Sequence, residues 1–214
     1  MPRSGVPAEK PLILVTTSHR PSQRVRSFVK DLVSVLPRAV KRNRGKSTLR
    51  DLYYDAVALG VRRVVVVSTW KGNPGTIRVY EPGEPPEQEL VLLSAIRLRG
   101  VRLSRETPGA VRARGSRSLG VYPAGGVEQK MLADILVRSF LARLVFDPGT
   151  PGFDSVAHVE PWEGGLAEVY FTCGGRRCGP TMRLVGAVDY ASGVRLHRAA
   201  GAAGEAGGVT EAQP

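Results

Sequence analysis

Apolar residues follow two rhythms along this chain, and the switches between them mark its elements. Leu12 to Thr17 is a short unbroken apolar run of the kind a buried strand makes. After Pro21 the spacing changes, and Val25, Phe28, Val29, Leu32 and Leu36 fall on one face of a helix that ends near Pro37. Pro21 suits a first helical turn, where no backbone N–H is needed. Ala39 to Arg42 reads as a second short strand. Thr48 and Asp51 have the spacing of a capping box, and Leu49, Leu52, Tyr53, Ala56 and Leu59 line one side of the helix that follows, with Gly60 at its end. Val61 to Trp70 is the most β-branched stretch. Beyond Lys71 the chain resumes as TIRVYE, so the pattern predicts two strands joined by a tight turn at Asn73-Pro74-Gly75. Leu90 to Leu103 alternates as a long strand.

The remainder repeats this plan loosely. Leu119 to Tyr122 is a predicted strand, Gly125-Gly126 a loop, Val127 to Val145 a long helix, and Ala167 to Asp189 a hairpin. The expected architecture is α/β with two similar halves, about 11–103 and 119–198, joined by a basic linker or exposed loop at 104–118. Residues 1–10 form a flexible N-terminus, and the tail 199–214 has almost nothing to bury and is expected to be disordered.

Charge narrows the picture. The 214 residues carry a formal net charge of +12 and a sequence pI near 10.4, a usual footprint of nucleic-acid binding. No apolar run approaches the roughly 20 residues that span a bilayer, and the opening MPRSGVPAEK has no signal-peptide core, so the cytoplasm is the expected location and no membrane partner is foreseen. Of 31 basic side chains only Lys10, Lys30, Lys41, Lys46, Lys71 and Lys130 are Lys. Arg suits phosphate because its guanidinium binds bidentately, although a GC-rich genome produces the same bias. Nucleotide composition does not explain clustering. Between His19 and Arg50 stand ten Lys or Arg and one acid, Asp31, and Arg97 to Ser118 carries seven Arg against Glu106. From Val145 to Gly175 there is no basic residue, while Asp147, Asp154, Glu160, Glu163 and Glu168 fall there. One surface is expected to be basic, and another acidic and open to a basic protein.

The candidate contacts with a polyanion follow from these clusters. Ser18, Arg20, Ser22 and Gln23 sit where the first strand gives way to helix, so their donors and the helix N-terminus converge on an anion-sized spot. Helix capping by Ser18 and Ser22 is the plainer alternative. On the same helix the apolar face leaves Arg24, Arg26 and Lys30 for solvent or a polyanion. Arg42, Arg44 and Lys46 occupy the next loop, Lys71 flanks the predicted turn, and Arg112, Arg114 and Arg117 lie in the linker. Trp70, Trp162, Tyr53 and Tyr54 offer stacking surfaces, though most are expected in the core.

Catalytic chemistry finds little support. Gly45-Lys46-Ser47 looks like the end of a P-loop, but that motif needs a glycine five positions before Gly45, where Val40 stands. His19, His158 and His197 are scattered and build no triad or metal site. Cys173 and Cys178 flank Gly174-Gly175-Arg176-Arg177 at a hairpin end; two thiols make a weak zinc case, and a disulfide and free thiols stay equally open. No catalytic residue, cofactor or metal is expected.

Three motifs in order carry a resemblance. TTSHRPSQRVRSFVKDLVSVLP, then NRGKSTLRDLYYDAVALGVRRVVVV, then KGNPGTIRVYE resemble the Brix domain, specifically from about Leu12 to Glu81. The resemblance implies the short single-domain archaeal form, with two α/β halves each like the anticodon-binding domain of some aminoacyl-tRNA synthetases. It also implies a ribosome biogenesis protein that binds precursor rRNA without catalysis, its eukaryotic relatives working with other processing factors and a small nucleolar RNA. For this chain the acidic Asp147 to Glu168 region makes ribosomal or other assembly proteins the expected partners. An enzyme acting on RNA or a nucleotide, and a tRNA-binding accessory module, are the alternatives.

Overall fold

The computed structural model describes residues 9–198 apart from Pro85 and Glu87. Most of the expected flexible N-terminus (residues 1–8) and the whole expected disordered tail (199–214) lie outside the described residues.

The elements run β1 (Ile13–Thr17), α1 (Gln23–Val35), β2 (Ala39–Lys41), α2 (Leu49–Leu59), β3 (Arg63–Trp70), β4 (Asn73–Pro82) and β5 (Leu90–Arg102). A short 3-10 helix (Ser104–Glu106) precedes β6 (Leu119–Pro123), α3 (Val127–Phe140), β7 (Arg143–Leu144), β8 (Ser155–Glu160), β9 (Ala167–Cys173), β10 (Arg176–Asp189) and β11 (Arg195–His197). All these strands join one 11-stranded sheet in the order β2-β1-β3-β4-β5-β10-β9-β8-β6-β7, with β11 on β10. At one end β1 runs parallel to β2 and β3; at the other, β6 runs parallel to β7 and β8. The strands between are antiparallel, and β5 meets β10 in the middle. We call the two ends the N-terminal and C-terminal wings.

The apolar stripes explain the layering. Val25, Phe28, Val29 and Leu32 of α1 and Leu132, Leu136 and Phe140 of α3 bury in one core against Ile77, Ile96, Phe171 and Leu184 of the sheet. Helix α2 covers the opposite face of the N-terminal wing, where Leu52 and Ala56 meet Leu14, Val64, Val66 and Tyr80. The predicted capping box is present, with Thr48 and Asp51 bonded reciprocally, and Gly60 closes α2 in the left-handed conformation. The C-terminal wing has no described helix in the place of α2.

Several expectations change. The β3–β4 turn lies at Lys71-Gly72, where Trp70 pairs with Asn73 and both turn residues have positive φ (45° and 78°). That backbone suits the twist of a two-residue hairpin. Asn73, Pro74 and Gly75 belong to β4, and a bulge at Ser68/Thr69 accommodates them. Helix α3 stops at Phe140, because Leu141 turns left-handed (φ 54°), and the chain then adds the edge strand β7. Strand β8 lies fully inside the sheet, unforeseen along with β7 and β11.

Segment 104–118 is not an exposed loop throughout. Ser104 N–H donates to the Asp31 carboxylate (2.8 Å), Arg38 N–H to Ser116 C=O (2.6 Å) and Val111 N–H to Arg177 C=O (2.8 Å), so the segment is stitched along both wings. Ser155 Oγ, bonded to Val35 C=O at 2.7 Å, adds a buried link between the C-terminal wing and α1. Cys173 and Cys178 form a disulfide across the β9–β10 end.

Candidate nucleic-acid interface

The loop after β1, the start of α1 and the loop after β2 enclose a cleft of about 590 Å³ lined by Arg20, Gln23, Arg26, Lys30, Lys41 and Asn43, among others. Strand β1 delivers the chain to the α1 N-terminus, and its parallel partner β2 ends beside it, so both basic segments leave the sheet at one place. Arg20 adopts positive φ (50°), a conformation uncommon for a residue with a side chain. His19 Nδ1 lies 3.2 Å from Gly45 C=O and ties the two loops together. Arg20, Arg26, Lys30 and Lys41 make no salt bridge among the described residues. Unopposed cations around a helix N-terminus give this cleft the chemistry that suits an anion.

The structure sorts the sequence candidates. Arg20, Gln23, Arg26 and Lys30 come together here. Ser22 instead caps and anchors the helix, since its Oγ accepts the Val25 N–H (3.2 Å) and donates to Gly72 C=O (2.6 Å) on the β3–β4 hairpin. Ser18 is half-buried and does not line the cleft.

Arg24 is not free for solvent or a polyanion. Its guanidinium holds both carboxylate oxygens of Glu106 (2.6 and 2.8 Å) and also donates to Val101 C=O (2.9 Å). The Arg24 bonds hold the Glu106 carboxyl below its usual range, so this pair stabilises the fold above the ordinary carboxylate pKa. That stability is lost as pH falls through the lower folded value.

Arg42 lines the cleft but pairs with Asp55. Arg44 is only 8% exposed; its Nε donates to Ser47 C=O (2.6 Å), and burial lowers its pKa. It braces the loop from within. Lys46 is exposed outside the cleft, and Lys71 lies on the hairpin tip. Arg112 and Arg114 are exposed on segment 104–118, away from the cleft, and Arg117 stands 3.7 Å from Glu9.

At the α2 N-terminus the Asp51 carboxylate accepts the Thr48 N–H (2.8 Å) and hydroxyl (2.9 Å), so these donors are already held by a carboxylate within the chain. Among the described residues no group of three or more His, Cys, Asp or Glu is placed to hold a metal, and no helix is long and apolar enough to cross a membrane.

The acidic stretch is largely occupied internally. Asp147 accepts from Gly149 N–H, Asp154 from Arg117 N–H, Glu160 from the Tyr170 hydroxyl, and Glu168 pairs with Arg183.

No family model matches the chain. A protein from Aeropyrum pernix named as a probable Brix domain-containing ribosomal biogenesis protein is 40% identical over 171 residues, covering 79% of this chain and 93% of its own length. The chain belongs to the Brix domain family. A Thermococcus kodakarensis relative of the same name is 38% identical over 95 residues, 44% of each chain. The crystal structure of a probable ribosomal biogenesis protein from Aeropyrum pernix K1 matches this Brix domain with a TM-score of 0.73 at 36% identity, over 81% of this chain and 95% of that one. Mil, an archaeal Imp4-like protein, shares the fold with a TM-score of 0.61 at 21% identity, over 82% of this chain and 99% of its own.

Sequence reasoning missed three cations of this Brix domain, Arg78, Arg97 and Arg99, which line a second groove with Trp70 and Lys71. Arg97 and Arg99 open the Arg-rich run from Arg97 to Ser118, but Arg78 stands on the neighbouring strand, so the three form no single run in the chain. The available signal was alternation: Arg97 and Arg99 bracket Leu98, which faces the core. Trp70 also departs from the core expectation, being 68% exposed, whereas Tyr53 is buried.

Proposed function

We propose that this Brix domain protein is a ribosome biogenesis factor that binds precursor rRNA and assists its folding, processing or subunit assembly by binding rather than chemistry. The observation that carries the reading is the cleft at the α1 N-terminus, where Arg20, Arg26, Lys30 and Lys41 converge without a carboxylate partner among the described residues. Such a site holds phosphates, which position an RNA but do not by themselves specify its sequence. The names of the relatives supply the biological setting.

Each phosphate contact releases counterions, so binding weakens steeply with salt. Fluorescence anisotropy with precursor rRNA fragments should show the log–log salt slope of an Arg20→Ala, Arg26→Ala, Lys30→Ala protein reduced by roughly two to three. An unchanged slope and affinity would remove the cleft as the RNA surface. Crosslinking in cells with RNA sequencing tests the substrate: enrichment of tRNA in place of precursor rRNA overturns the ribosomal reading.

A further inference from the structure

The hairpin tip that Ser22 holds through Gly72 separates the cleft from a second basic surface. Beyond it lies a groove of about 760 Å³ that runs from Trp70 and Lys71 to Arg78, Arg97 and Arg99, with no carboxylate among the described residues that line it. Strand register explains why these side chains share a face. Ser68, Thr76 and Arg97 form one cross-strand row, and Arg78 stands two residues beyond Thr76. This is the face that α2 covers farther out, at Val66 and Tyr80, and leaves bare here. Lys71, Arg78, Arg97 and Arg99 make no salt bridge among the described residues. Their mutual repulsion is relieved by a polyanion.

Trp70 identifies the kind of polyanion. Its indole is 68% exposed at the tip, with the Lys71 ammonium 5.9 Å from the ring centroid. The neighbouring strand is built to let it lie close: a Cβ at Gly75 would come within 2.5 Å of the Trp70 Cβ. An exposed indole among cations stacks a nucleobase while the cations neutralise its phosphates. In a duplex the base faces are hidden, so the matching ligand is an unpaired stretch.

We propose that Trp70 and the Arg78, Arg97 and Arg99 face bind a single-stranded segment of RNA, stacking one base on Trp70. The proposal rests on the RNA-binding reading above and adds the strand state that this groove selects.

The test uses the full chain and a short RNA hairpin, either blunt or with a single-stranded extension. Wild-type protein should bind the extended hairpin more tightly. Trp70→Ala should weaken that binding roughly tenfold while leaving the blunt hairpin unaffected, and Trp70→Phe should restore most of the loss. An Arg97→Ala, Arg99→Ala protein should show the same selectivity. A thermal melt on each variant confirms that it is folded. Equal affinity of wild type and Trp70→Ala for both RNAs overturns the proposal but spares the parent reading, because the cleft variant still separates from wild type. Absence of RNA binding by the wild type sinks both. Capture at Trp70 of an acidic peptide that the extended hairpin does not displace overturns the proposal in favour of a protein partner.

Discussion

The N-termini of α1 and α3 occupy matching places, each following a strand with two parallel neighbours, yet they are built from opposite chemistry. Helix α1 is capped by Ser22, has no acid in its first turn, and opens between Arg20, Gln23 and Arg26. Helix α3 has Gly126, without a side chain, as its N-cap, carries Glu128 in its first turn, and folds the Gln129 side chain back so that its Oε1 accepts the Gly126 N–H at 3.1 Å. Gln129 also donates to Leu166 C=O (3.1 Å), which fixes that arrangement from behind. Both ends are partly answered from within, α1 by the Ser22 hydroxyl and α3 by Gln129 and Glu128, so what differs is the surroundings: Arg20 and Arg26 beside α1, an acid beside α3. A shared topology provides two helix termini; a few side chains decide which one suits an anion.

The comparison breaks most severely if the helices do not share one core. Phe28 and Phe140 are both buried in it. Phe28→Ala and Phe140→Ala should each cost about 3–5 kcal/mol in chemical denaturation, within a single transition. Two separate transitions would show that each wing melts alone. A smaller effect distinguishes the caps. Ser22→Ala should lose about 1 kcal/mol, while Gly126→Ser, supplying a side chain where none exists, should gain a few tenths. Equal responses would mean that the Ser22 cap is not what distinguishes α1. The smallest effect concerns Arg24, which shares α1 with the cleft residues Arg26 and Lys30 but bonds Glu106. Arg24→Ala should destabilise the fold by less than about 1 kcal/mol and leave the RNA salt slope unchanged. Glu106→Gln should remove part of the stability lost on acidification, because the depressed carboxyl contributes only above its folded pKa. A slope that falls in Arg24→Ala would return this residue to the RNA surface.

Much of the N-terminal wing was legible because its signals are local. The capping residues Thr48 and Asp51, the stop at Gly60 and the apolar stripe of α1 each depend on residues within one or two turns. The failures lie where distant contacts overrule local ones. Asn73-Pro74-Gly75 carries turn residues, yet Gly75 is needed for the close approach to Trp70, and the turn starts two residues earlier, at Lys71. No glycine marks the end of α3, since Leu141 adopts the left-handed conformation itself. Strand β8 is hidden because its burial comes from the wing around it. Among site residues, Arg20, Arg26 and Lys30 were visible as a cluster on one segment. The burial of Arg44 and the Arg24 pair with Glu106 were not, because their partners come from tertiary placement.

The meeting of β5 with β10 sets an order of events during synthesis. When β5 has left the ribosome its outer edge and the flank of α1 remain uncovered until Arg176–Asp189 arrives. An unpaired strand edge is an aggregation hazard, so the nascent chain carries that exposure through the making of the whole C-terminal wing. The α1 cleft is translated early, but the side that supports it closes late.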